Sequence, residues 1–68
     1  MTDEELIVLC MDIIRTYSEP TQENHDISLG LFNKLYLIAE NTFQQLCIQA
    51  AYYKMWRPDI KTIVSIFE

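Results

Sequence analysis

Glycine is nearly missing from this 68-residue chain, with Gly30 the only one. Phosphate-cradling loops and dinucleotide fingerprints need several glycines at fixed spacing, so both are excluded. Proline is confined to Pro20 and Pro58, and half of the residues are hydrophobic. Disordered chains lack the apolar residues needed to offset ordering, so a folded domain is expected. At this length a chain hides only about 60% of the surface its unfolded form exposes, so one small domain of modest stability follows.

Basic residues are scarce: five Lys and Arg stand against ten Asp and Glu, a net charge of −5. Sequence-independent phosphate binding requires a basic surface, which argues against direct nucleic-acid contact. The deficit is lopsided. Residues 1–26 carry seven acids (Asp3, Glu4, Glu5, Asp12, Glu19, Glu23, Asp26) against Arg15 alone. Residues 27–68 carry Glu40, Asp59 and Glu68 against Lys34, Lys54, Arg57 and Lys61. The acidic end therefore suits a basic partner, including the second half of another copy.

Histidine occurs once, at His25, in a polar stretch beside Glu23 and Asp26. A general base must be held in a pocket by a defined partner, so a solvated loop residue is expected there and no enzyme activity. Cys10 and Cys47 lack metal-ligand spacing, and disulfide scaffolds of this size usually carry four or more cysteines. Buried free thiols in a reducing compartment are expected. No cofactor and no metal site follow from the residue pattern. The longest apolar stretch, Leu6 to Met11, ends at Asp12 and is too short to span a bilayer. An opening of Thr2-Asp3-Glu4-Glu5 is the reverse of a signal peptide's basic start, which places the chain in the cytoplasm, or a host's cytoplasm if it is viral.

What is present is helical patterning. Thr2 followed three residues later by Glu5 is a capping box, and Asp3 and Glu4 suit the positive end of a helix dipole. A first helix over about 3–17 is predicted, apolar around a wide arc from Leu6 to Tyr17. Residues 18–27 read as a polar linker interrupted by Pro20. A long second helix is predicted over about 28–56. At about 100° per residue, Phe32, Leu35, Tyr36, Ala39, Phe43, Leu46, Cys47, Ala50 and Tyr53 share one face. Leu37, Ile38, Ile48, Tyr52, Met55 and Trp56 share roughly the opposite one. Glu40-Asn41-Thr42 is the weak point, but the main stripe passes through it in phase, which favours continuity. Pro58 opens a short third helix over about 58–67, with Ile60, Ile63, Val64 and Phe67 at i, i+3, i+4, i+7.

A helix apolar on two sides must be covered twice. At 1.5 Å per residue the second helix would be about 43 Å long and the first about 22 Å, so the first covers only half of it. The expectation is an all-α helical hairpin with a short C-terminal helix, paired with another copy into a dimeric bundle.

Function then reads as protein–protein interaction, by an adaptor, inhibitor or regulator of the kind that phage, plasmid and viral accessory proteins supply. Ile48, Tyr52, Met55, Trp56 and Arg57 combine the residue types in which binding energy concentrates and are the predicted interface. The alternative is a DNA mimic or helical regulator acting on a nucleic-acid-binding protein. Its acidic patch would be Asp3, Glu4, Glu5 and Asp12, although the first three also fit simple helix capping.

Overall fold

The computed structural model describes residues 1–60. It contains three helices: α1 (Asp3–Thr16), α2 (Gln22–Ile38) and α3 (Thr42–Trp56). The all-α bundle expected from the periodicity is what forms.

Helix α1 starts where its capping box predicts. Thr2 Oγ1 accepts the Glu5 N–H at 3.2 Å, and Glu5 Oε1 accepts the Thr2 N–H at 3.1 Å. Leu6 and Cys10, one turn apart, are buried, and Ile13 packs against the same core.

Helix α2 opens earlier than predicted. Thr21 is its N-cap, with Oγ1 accepting the Asn24 N–H at 3.1 Å. Residues 22–27, expected as linker, are thus the first turns of α2, and the true connection is only Tyr17 to Thr21. Pro20 lies just before the cap, where its missing N–H disturbs no helical bond.

The continuous rod from 28 to 56 is a further correction. The helix stops at Ile38, Ala39 takes an extended ψ of 133°, and Asn41 caps a new helix by accepting the Gln44 N–H at 2.9 Å. The main stripe had no phase jump because α2 and α3 fold back antiparallel onto one core. Phe32 and Cys47 both point inward whether or not the cylinder between them is broken. Three helices of 14, 17 and 15 residues replace one short and one long. At about 21, 26 and 23 Å they match in length and can lie side by side.

Helices α1 and α3 run the same way, with α2 reversed. Gln44 Nε2 on the first turn of α3 donates to the Met1 C=O at 3.0 Å, which pairs the two N-terminal ends. Ile14, Ser18, Met55 and Trp56 line one recess at the opposite end. Across α2 and α3, Trp56 Nε1 donates to Ser28 Oγ at 3.0 Å and Gln49 Nε2 donates to Tyr36 Oη at 3.4 Å.

Helix α3 is the central element. It supplies five of the nine buried residues among those described: Gln44, Cys47, Ile48, Ala50 and Ala51. One apolar side is covered by the chain's own first half folded over it, whereas Phe43 and Leu46 stay exposed at 45% and 38%. The small side chains Cys10, Ser28, Cys47 and Ala51 are fully buried and leave room for close backbone approach.

After α3, Arg57-Pro58-Asp59-Ile60 form a turn in which the Ile60 N–H donates to the Arg57 C=O at 3.0 Å. Proline suits the second position of such a turn because its φ is already set. The rest of the predicted C-terminal helix, with Ile63, Val64 and Phe67, lies outside the described residues.

Candidate interaction surface

The predicted interface segment is divided by the fold. Ile48 is 3% exposed and belongs to the core. Tyr52 and Met55 pack partly buried against that core, Trp56 is half-buried, and Arg57 is exposed and pairs with Asp59 at 3.3 Å. Most of this aromatic face is turned inward, so its residue types serve α2 and α3 packing before any partner.

Around it lies a polar–aromatic cluster that ties the start of α2 to the end of α3. Ser28 is completely buried; its Oγ donates to the Asn24 C=O at 2.7 Å and accepts from Trp56 Nε1–H. His25 Nε2 lies 3.0 Å from Tyr52 Oη, and the imidazole meets Trp56 edge-on with ring centroids 5.2 Å apart. His25 Nδ1 is 3.3 Å from Asp26 Oδ1. The histidine expected in a solvated loop is therefore a half-buried helix residue with a partner at each ring nitrogen. Tyr52 and the Trp56 edge belong to a packing joint, while Asp26 is an exposed neighbour on the same helix.

A second polar joint sits at the other end. Gln44, 1% exposed, donates through Nε2 to the Met1 C=O and to Asp3 Oδ1, both at 3.0 Å, and accepts the Glu40 N–H through Oε1 at 2.9 Å. Composition arguments missed it because glutamine is usually a surface residue. The available signal was Asn41 followed three residues later by Gln44, a helix-start pattern. Among the described residues no buried side-chain nitrogen or oxygen lacks a hydrogen-bond partner.

The acidic patch is largely occupied by local structure. Asp3 is held by Gln44, Glu5 by the Thr2 cap, and Asp12 by Arg15. The two hydrogen bonds from Thr2 hold the Glu5 carboxyl below its ordinary pKa. Glu4 is exposed in the same first turn, where the helix dipole favours it.

Cys10 and Cys47 are free thiols with no exposed surface. Burial, reinforced by Cys47, pushes the Cys10 thiol up to about 12. Burial, reinforced by Asp3, raises Cys47 as well. Neither can supply a thiolate nucleophile at neutral pH. Among the described residues, no three His, Cys, Asp or Glu come together as metal ligands, and no helix is long and apolar enough to cross a membrane.

The surface left over is apolar. Nine large hydrophobic side chains are exposed among the described residues, led by Leu37 at 85% and by Val8 and Ile38 at 56%. Leu9, Ile13, Leu31, Lys34, Leu35 and Ile38 line a groove of about 330 Å³ between α1 and α2. Val8 and Leu9 continue it along α1 beside Glu4 and Glu5. Sequence periodicity assigns Leu9 and Ile13, but not Val8, to a wide apolar arc, and that arc proves wider than its neighbours cover.

No family model, no curated protein and no solved structure matches this chain.

Proposed function

We propose that this protein is a small acidic helical interaction module, an adaptor or inhibitor that acts by binding another protein through apolar surface on α1 and α2. The observation that carries this reading is an imbalance. Among the described residues seven hydrophobic ones are buried, four of them cysteine or alanine, whereas nine large ones stay exposed. Single exposed apolar residues are ordinary, but the groove lined by Leu9, Ile13, Leu31, Leu35 and Ile38 joins apolar side chains of two helices, which supports a contact surface there. The partner is a protein and not a nucleic acid on grounds of charge. Of the five basic residues, Arg15 and Arg57 are already engaged by Asp12 and Asp59.

Ile48 is spent in the core, so the contact surface we assign differs from the aromatic segment suggested by residue types alone. Tyr52 and Trp56 stiffen the scaffold behind it. The test compares capture by the full chain with capture by Leu37→Asp and Ile38→Asp variants, each checked for native helicity and thermal unfolding. A protein from the source cells retained by the native chain and lost from both variants is the expected result. Equal recovery by folded variants refutes the assignment.

A further inference from the structure

We infer that the α1/α2 groove is filled by a second copy of this chain, packed face to face so that each α1 lies along the partner's α2. This rests on the interaction-module reading and names the occupant of that surface. Leu31, Leu35 and Ile38 follow i, i+4, i+7 spacing, and Leu9 and Ile13 follow i, i+4, so each helix offers the groove a straight apolar seam. The core-facing stripes of both helices, Leu6, Cys10 and Ile13 on α1 and Ser28, Phe32 and Leu35 on α2, run on into the groove through Leu9 on α1 and Leu31 and Ile38 on α2. An antiparallel helix pair whose apolar stripe extends onto its open side is half of a four-helix bundle.

Charge selects the arrangement. The α1 rim is acidic at its first turn, where Glu4 and Glu5 are exposed beside Val8 and Leu9, while Asp12 is already paired with Arg15. The α2 rim carries Lys34, which is exposed and pairs with no acid among the described residues. Two-fold pairing of α1 on the partner's α1 would oppose acid to acid and Lys34 to its own copy. Pairing of α1 on the partner's α2 opposes Lys34 to the acidic rim, twice by symmetry. A two-fold axis parallel to the helices also leaves each residue at its own height. Lys34 lines the groove with Leu9, and Glu5 is one turn from Leu9, so the partner's Glu5 lies about one turn along the axis from Lys34.

Sedimentation of the full chain, from low to high micromolar and at two salt concentrations, decides it. The native chain is expected as a dimer. Ile38→Asp, at a position 56% exposed and so tolerant of a polar side chain, should weaken it by about 100-fold or more, since burying an unpaired carboxylate is costly. Lys34→Glu should weaken it roughly tenfold, being two symmetric rim pairs turned from attraction to repulsion. That loss should shrink in the Glu5→Gln background, which keeps the cap acceptor but removes the charge, as expected of coupled sites. A native chain monomeric at high micromolar concentration overturns the dimer, while variant-sensitive capture of another protein would still uphold the interaction module. A dimer indifferent to both Ile38→Asp and Lys34→Glu overturns the groove as its interface. Equal losses from Lys34→Glu with Glu5 intact or as Gln overturn the α1-on-α2 arrangement.

Discussion

Replacing Gln44 by Met should destabilise the protein far more than any other single glutamine replacement. Methionine keeps nearly the same length and is at home in a core, so the packing change is small. What is lost is the polar joint between the chain start and the first turn of α3. Three hydrogen bonds disappear, to the Met1 carbonyl, the Asp3 carboxylate and the Glu40 N–H. A neutral bond contributes about 1 kcal/mol net and one to a carboxylate about 1.5–3 kcal/mol. After allowing for the added apolar burial, a loss of roughly 2–4 kcal/mol follows. A domain this size is stable by only about 3–10 kcal/mol, so Tm should fall by at least ~10 °C. Urea unfolding followed by circular dichroism should show a lower midpoint with an unchanged slope. Gln44→Glu supplies the control. It keeps an acceptor for Glu40 but loses both donations and sets a second carboxylate beside Asp3. At neutral pH it should be less stable than the Met variant, and it should recover as acid protonates the pair. A Met variant within about 0.5 kcal/mol of native would refute the reasoning.

Three further outcomes test the rest of the fold. Trp56→Phe keeps the aromatic packing but removes the N–H donated to buried Ser28, and should cost about 1 kcal/mol in the same urea assay. Stability should be flat toward pH 9 and fall above it, because Cys10 stays protonated in the fold up to about 12 while an unfolded thiol ionises near 9.0. The unfolded state alone releases that proton in the window, so rising pH favours unfolding. Alkylation of both thiols at pH 8 should likewise track urea unfolding, and rapid labelling of the native chain would contradict their burial.

Local chemistry was legible from residue order. The Thr2–Glu5 box marks the start of α1, and the 3.6-residue period identifies Leu6, Cys10, Phe32 and Cys47 as inward positions. Charge already argued against direct phosphate binding. The break at Ala39–Asn41 was written in Asn41 and Gln44, and the early start of α2 in Thr21 and Asn24, but periodicity outweighed both. The period records which side of a helix faces the core and is blind to a reversal of direction between two helices sharing that core. Only the tertiary structure could therefore turn one long rod into an antiparallel pair that covers part of its own apolar surface. The same reversal brought His25 to Tyr52, Ser28 to Trp56 and Met1 to Gln44, contacts between residues 27, 28 and 43 positions apart. It also decided which apolar residues remained outside. Ile48 went into the core, while Leu9, Leu37 and Ile38 stayed exposed, because the three described helices give one another too few neighbours to enclose every apolar arc they carry.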